Sequence, residues 1–156
     1  AFELRFGFFA ALDELGLVPR SQIVNSNFKN SEHISMFNKV FTSDNRPDAI
    51  VCDQDYRTRL AINHLTDLGL RVPEDVAIIS MGNTPWARET EPGISSFDLK
   101  NEQIAKLAVA KLMEDEPENT RRVVEPELIE RGIIVQNELP EYCQEYEKII
   151  QRAQAS

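Results

Sequence analysis

Cysteine is scarce: Cys52 and Cys143 are the only two among 156 residues. That is too few for a disulfide scaffold, and no Cys-x-x-Cys spacing exists for a metal or redox site. Histidine is equally rare, and His33 and His64 stand far apart on helical patterns, where they read as exposed or half-buried helix residues. No apolar run approaches the length that spans a bilayer, and the first residues lack the basic and apolar regions of a secretory leader. Basic residues are outnumbered, 17 against 26 acidic, for a formal net charge of −9. Nucleic-acid binding draws on clustered Lys and Arg that displace counterions from phosphates, so this chain is not expected to contact DNA itself. The motifs of phosphate and nucleophile chemistry are missing as well: no GxGxxG, phosphate loop, HExxH or GxSxG occurs. Gly93-Ile94-Ser95-Ser96-Phe97 comes nearest and lacks the second glycine. Neither enzyme activity nor a metal or cofactor is expected.

What is present is alternation. The length suits one ordinary domain. The chain opens on Ala1 rather than Met and turns helical almost at once, as expected of a piece of a larger protein. Phe8, Ala11, Leu12 and Leu15 have helical spacing, with Gly16 as the stop. Gln22-Ile23-Val24 reads as a short strand. Asn30 or Ser31 caps a second helix with Ile34, Phe37, Val40 and Phe41 on its face. Ala49-Ile50-Val51-Cys52 is a continuous apolar run, the pattern of a strand covered on both faces, in which Cys52 is a small hydrophobe. Asp53 or Asp55 caps a third helix that ends at Gly69, and Val76-Ala77-Ile78-Ile79 is another buried-type strand. Helix and strand in turn predict an α/β fold, a parallel sheet flanked by helices. Residues 82–96 read as loop throughout. A helix with Ile104, Leu107, Ala108 and Leu112 follows, then short extended pieces at 122–124 and 128–129. From Pro140 an amphipathic terminal helix carries Tyr142, Cys143, Tyr146 and Ile149.

In open α/β sheets ligands gather beyond the carboxyl ends of the strands. Three such ends are predicted here, leading into Asn25-Ser26-Asn27-Phe28, Asp53-Gln54-Asp55, and Ser80 to Trp86. They offer amides and carboxylates for hydroxyls, and Phe28 and Trp86 as aromatic faces for a polyol or nucleoside-like ligand. Each has a plainer reading: Asp55 as a helix cap, Phe28 as core, Trp86 as a brace for its loop.

Pro47-Asp48-Ala49-Ile50-Val51-Cys52-Asp53-Gln54-Asp55, followed by Leu68-Gly69-Leu70-Arg71-Val72-Pro73-Glu74-Asp75-Val76, resembles the sensor domain of lactose-repressor (LacI/GalR) type transcription regulators. Gly7-Phe8-Phe9-Ala10-Ala11-Leu12, the segment from Pro92 to Leu99, and Glu127-Leu128-Ile129-Glu130-Arg131-Gly132 are similar to further elements of that family. The similarity covers residues 3 to about 134. It implies a periplasmic-binding-protein-like fold, mainly the C-terminal lobe of the effector domain. Residues 1–136 would form a partial effector-binding and dimerisation domain, with about 101–114 crossing to an N-terminal lobe and 137–156 a separate terminal helix. It further implies a cytoplasmic homodimeric regulator that binds a sugar-like effector, reaches DNA only through an N-terminal domain outside this chain, and does not engage membranes. A sugar-binding protein of a transport system, periplasmic or on the surface, shares the architecture and is the alternative.

Position by position, the resemblance assigns effector binding to Phe28 (stacking), Gln54 (amide), Asp55 (the neighbouring acid) and Asn83. The family's first aspartate after the last strand is Gly82 here. Its effector-binding arginine falls on Leu4, leaving Arg5 one place away. The helix with Ile104, Leu107, Ala108 and Leu112 would lose its usual cover without an N-terminal lobe. It is therefore expected to pack on a second copy or to fold back.

Overall fold

A computed structural model describes residues 2–16, 23–24, 31–114 and 122–132 of the chain. Phe28 and the terminal segment from Pro140 lie outside the described residues. The chain divides into two compact units, one of Ala1–Ser26 with Gln136–Ser156, the other Asn27–Val135.

In the first unit, α1 runs Phe2–Glu14. Gly16 follows at φ +67, the left-handed stop that its position after Leu15 predicts. The strand expected at 22–24 is not formed at Ile23 and Val24, which have no regular structure. A strand exists only through a ladder partner, and the sheet of the other unit contains neither residue.

In the second unit the order is α2 (Ser31–Phe41), β1 (Ala49–Val51), α3 (Asp55–Asp67), β2 (Ala77–Met81), α4 (Pro85–Glu89), β3 (Ser96–Asp98), α5 (Asn101–Leu112) and β4 (Glu127–Ile129). The sheet order is β1-β2-β3-β4, with β1, β2 and β3 mutually parallel and β4 antiparallel to β3. The α/β class with a largely parallel sheet is as read from the sequence. One helix, α4, interrupts the stretch read as loop: Pro85 sits in its first turn, where its fixed φ suits a helix and its missing N–H costs nothing. Just beyond, Ser96–Asp98 form a strand that no alternation announces.

The core gathers Phe37 and Phe41 of α2, Ala61, Ile62 and Leu65 of α3, Val76 and Ile78 around β2, Ala87 of α4, and Ile94. The rings of Phe37 and Phe41 lie 4.6 Å apart, the i, i+4 contact that their spacing predicts. α3 ends in a paired reverse turn, Leu70 N–H donating to Leu65 O and Gly69 N–H to Thr66 O, with Gly69 at φ +79. β1 is not covered on both faces: Ala49 and Val51 are exposed. Nor does α5 fold back; none of its residues is buried, and Leu112 is 84% exposed.

Leu65 is fully buried at the centre of this core. Leu65→Ala is expected to destabilise the fold by about 2–5 kcal/mol through lost burial and a residual cavity. Urea denaturation measures it.

Candidate functional site

Because β1, β2 and β3 are parallel, their carboxyl ends share one edge of the sheet. Beyond it lie Gln54 before α3, Gly82-Asn83-Thr84 before α4, and Leu99-Lys100 before α5. β4 runs the other way and brings Glu127 to the same edge, opposite Asp98.

Asp55 ties the tip before α4 and the first residue of β3 to the start of α3. It does not cap α3: Gln54 is the residue before the helix, and its side chain makes no capping bond. Asp55 is the first helical residue and is 1% exposed. Its Oδ2 accepts from the Thr84 N–H at 2.6 Å and the Thr84 hydroxyl at 2.8 Å, and its Oδ1 from the Ser96 hydroxyl at 2.7 Å. Ser96 Oγ in turn accepts from the Asn83 N–H at 3.0 Å. Among the described residues no Lys or Arg pairs with this carboxylate. Three donors and the N-terminal end of α3 offset its charge instead. Beneath it, Thr58 Oγ1 donates to Ser80 Oγ at 2.8 Å, both residues fully buried. Burial pushes the nearby Cys52 thiol up to about 11, which keeps it protonated and inert at neutral pH.

Gly82 makes this approach possible. Its φ is +125, and a Cβ there would stand 3.2 Å from Asp55 Oδ2. A side chain at 82 would strain the backbone and crowd the carboxylate, and an aspartate would add like charge.

Next to the brace is a shallow concavity of about 500 Å³, with Gly82, Asn83, Arg88, Asp98, Lys100 and Asn101 among its lining. Asn83 takes φ +48, a left-handed conformation that asparagine tolerates. Its Oδ1 accepts from Arg131 Nη2 at 2.7 Å, and its Nδ2 donates to Asp98 Oδ2 at 3.3 Å. Asp98 Oδ1 accepts the Lys100 N–H at 2.8 Å, and Lys100 Nζ bridges Asp98 and Glu127. The Lys100 N–H, then the Asn83 amide and the Lys100 ammonium, hold the Asp98 carboxyl below the usual carboxylate range against a desolvation cost. A larger hollow of about 620 Å³ lies between the ends of α2 and α3, and none of the sequence-predicted site residues lines it.

Of the five residues singled out from the sequence, Gln54, Asp55 and Asn83 come to one edge. Gln54 and Asn83 each neighbour a partner of the Asp55–Thr84 bond. Gln54 is exposed. Asp55 has both oxygens engaged internally. Arg5 is an exposed residue of α1, in the other unit, and Phe28 lies outside the described residues. Trp86 does not line the concavity. It packs on Tyr56 at 5.4 Å, with the Arg59 guanidinium 4.9 Å from its ring centre. Sequence reading passed over Thr84, Asp98, Lys100 and Arg131. An acid closing an unrecognised strand hides Asp98, whereas Arg131 stands between Glu130 and Gly132 in a segment already singled out.

Residues 3–132 match the periplasmic binding protein-like domain. The chain belongs to that family. This periplasmic-binding-protein-like domain is 27% identical over 143 residues to the HTH-type transcriptional repressor PurR of Yersinia enterocolitica, covering 87% of this chain and 41% of the relative. It thus spans about two fifths of the length of the curated relatives it matches. Among solved structures it is similar to a LacI-type transcription regulator from Bifidobacterium animalis subsp. lactis, with TM-score 0.57 and 30% identity over 64% of this chain and 37% of that one. The cellobiose complex of the transcriptional regulator CelR gives TM-score 0.53 and 26% identity, over 64% and 32% of the respective chains. Among the described residues of the domain, no helix is long and apolar enough to cross a membrane, and no cluster of three or more metal-ligating side chains occurs.

Two outcomes are expected. Asp55→Ala leaves the buried Ser96 hydroxyl and the part-buried Thr84 N–H and hydroxyl without their acceptor and should cost about 3 kcal/mol in urea denaturation, whereas Thr84→Val, which removes only the hydroxyl, should cost less. For Asp98, a folded-state pKa below the unfolded one means a contribution present above the ordinary carboxylate pKa and lost as pH falls through the lowered value. The carboxyl ¹³C resonance of Asp98 should therefore titrate below the ordinary aspartate value. A midpoint at or above the free-aspartate value would rule this out.

Proposed function

We propose that this chain is the effector-sensing part of a LacI-family transcription regulator, in which the tips carrying Gln54, Asn83 and Asp98 form one wall of a cleft for a sugar-like molecule. The observation that carries the reading is the convergence of these tips at one sheet edge around the buried Asp55. The repressor named among the relatives and the regulators among the similar structures support the regulatory half of it. The cellobiose-bound relative supports the sugar half. The opposite wall comes from an N-terminal lobe, on which the apolar stripe of α5 packs. Ligand between the lobes favours the closed arrangement and so alters the spacing of two DNA-reading heads in a cytoplasmic homodimer. Chemistry on the ligand has no place in this scheme: the hydroxyls of Thr84 and Ser96 that reach a carboxylate are spent on the buried Asp55, where they serve the scaffold.

The test is calorimetry of the full-length regulator with a sugar panel that includes cellobiose. Gln54→Ala and Asn83→Ala are each expected to weaken binding of the recognised sugar about tenfold, with sedimentation reporting a dimer throughout. Unchanged affinity in both variants would sink the assignment of this edge. A parent gene encoding a secretory leader in place of a helix-turn-helix would favour the transport-protein reading.

A further inference from the structure

The C-terminal ends of α2 and α3 lead into the amino ends of β1 and β2. The hollow of about 620 Å³ between those helix ends therefore lies at the edge of the sheet away from Gln54 and Asn83. Both of its walls are fixed by the backbone. One turns where the Arg46 N–H donates to Ser43 O at 3.2 Å, the other where the Leu70 N–H donates to Leu65 O at 2.9 Å. Phe41 is buried in the core, and Leu68 and Leu70 are half-buried and packed against it. These three side chains give the hollow an apolar lining.

Charges of both signs line it as well. Asp44 and Arg46 are exposed, and among the described residues neither forms an ion pair. The charge of Arg46 reaches Asp75, but the Arg71 fork already holds that carboxylate at 2.8 and 3.1 Å. The hydroxyl hydrogens of Thr42 and Ser43 are spent on Asn38 O at 2.9 Å and Val40 O at 2.8 Å. Both oxygens are left able only to accept. The hollow thus combines a donor fork that suits a carboxylate, a carboxylate with two acceptor oxygens that suits an ammonium, and apolar surface.

We propose that this hollow is a second small-molecule site, and that it takes a free α-amino acid with an apolar side chain. The Arg46 guanidinium forks the ligand carboxylate. Asp44 and the Thr42 and Ser43 oxygens receive its ammonium, and its side chain lies on Phe41, Leu68 and Leu70. A simple anion would meet Asp44 and the negative ends of two helices, and a simple cation would meet Arg46. A neutral polyol would leave both charges unmatched and the apolar lining uncovered. A zwitterion with an apolar body matches all three. The site is independent of the sensing function proposed above, because every residue lining it belongs to the unit Asn27–Val135. No opposite wall is required.

The experiment is NMR of the full 156-residue chain, following backbone amides with L-leucine, N-acetyl-L-leucine and L-leucinamide as probes. L-Leucine is expected to give saturable shifts at Asp44, Arg46 and Leu70, with Gln54 and Asn83 in place. N-Acetyl-L-leucine lacks the ammonium and L-leucinamide the carboxylate, and each should bind about tenfold more weakly. Arg46→Gln should erase the preference for L-leucine over the amide, and Asp44→Asn the preference over the N-acetyl compound. Both side chains are exposed, and the β1 and β2 resonances report that the fold is kept. Absence of saturable shifts by about 10 mM L-leucine overturns the site. Equal binding of either derivative overturns the ligand class, and preferences unchanged in the two variants overturn the two charged contacts. L-Leucine moving Gln54 and Asn83 instead assigns it to the opposite edge and overturns the site too. None of these results touches the sensing function, which the sugar panel on the full-length regulator tests separately.

Discussion

A carboxylate taken out of water must be met by donors or it will not stay charged or stay buried. Asp55 is almost completely buried, and three hydrogen bonds from Thr84 before α4 and Ser96 at the start of β3 meet it. Those bonds close what the backbone leaves open. Parallel strands are joined by long crossovers, so nothing local sets the position of one loop tip against the next. One carboxylate at the start of α3 does so for the tips after β2 and at the start of β3. Gly82 suits that closure: a Cβ there would stand 3.2 Å from Asp55 Oδ2, and its φ of +125 is one that side chains rarely adopt.

Under the proposed function, holding the tips means that the polar groups facing the concavity need little rearrangement to meet a ligand, and preorganisation of that kind saves affinity otherwise spent on ordering. The division of labour differs from a simple reading of acids as ligand contacts. Asp55 is consumed by the scaffold, while Asn83, Asp98 and Lys100 face the open space. The chain matches about two fifths of its curated relatives' length, and under the proposed function it supplies one wall of the cleft. Ile104, Val109 and Leu112 of α5 are exposed, and under the same proposal this helix packs on the opposite wall.

Elements with strong periodicity or clear punctuation were legible in the sequence. The Phe37–Phe41 face of α2, the Gly69 stop of α3 and the apolar strands β1 and β2 all followed from spacing. Short elements were not. Ser96–Asp98 is a three-residue strand with one apolar side chain, and only its neighbours β2 and β4 make it a strand. Asp55 looked like a helix cap because caps are local, whereas its real partners stand 29 and 41 residues away. Arg131 was hidden for the same reason, since nothing in a linear reading links it to Asn83. The strand expected at Ile23 and Val24 lacked a ladder that a sequence pattern cannot supply by itself.

The most direct measurement is native-state hydrogen exchange of the Asn83 and Thr84 amides, which donate to Ser96 and Asp55 from a loop. If the buried carboxylate holds the tips as one edge, both should exchange together, as slowly as the Ala77 and Ser80 amides of β2, which donate to Asp48 O and Ser95 O, and only through global opening. Fast and independent exchange of the two, with β2 still protected, would contradict it.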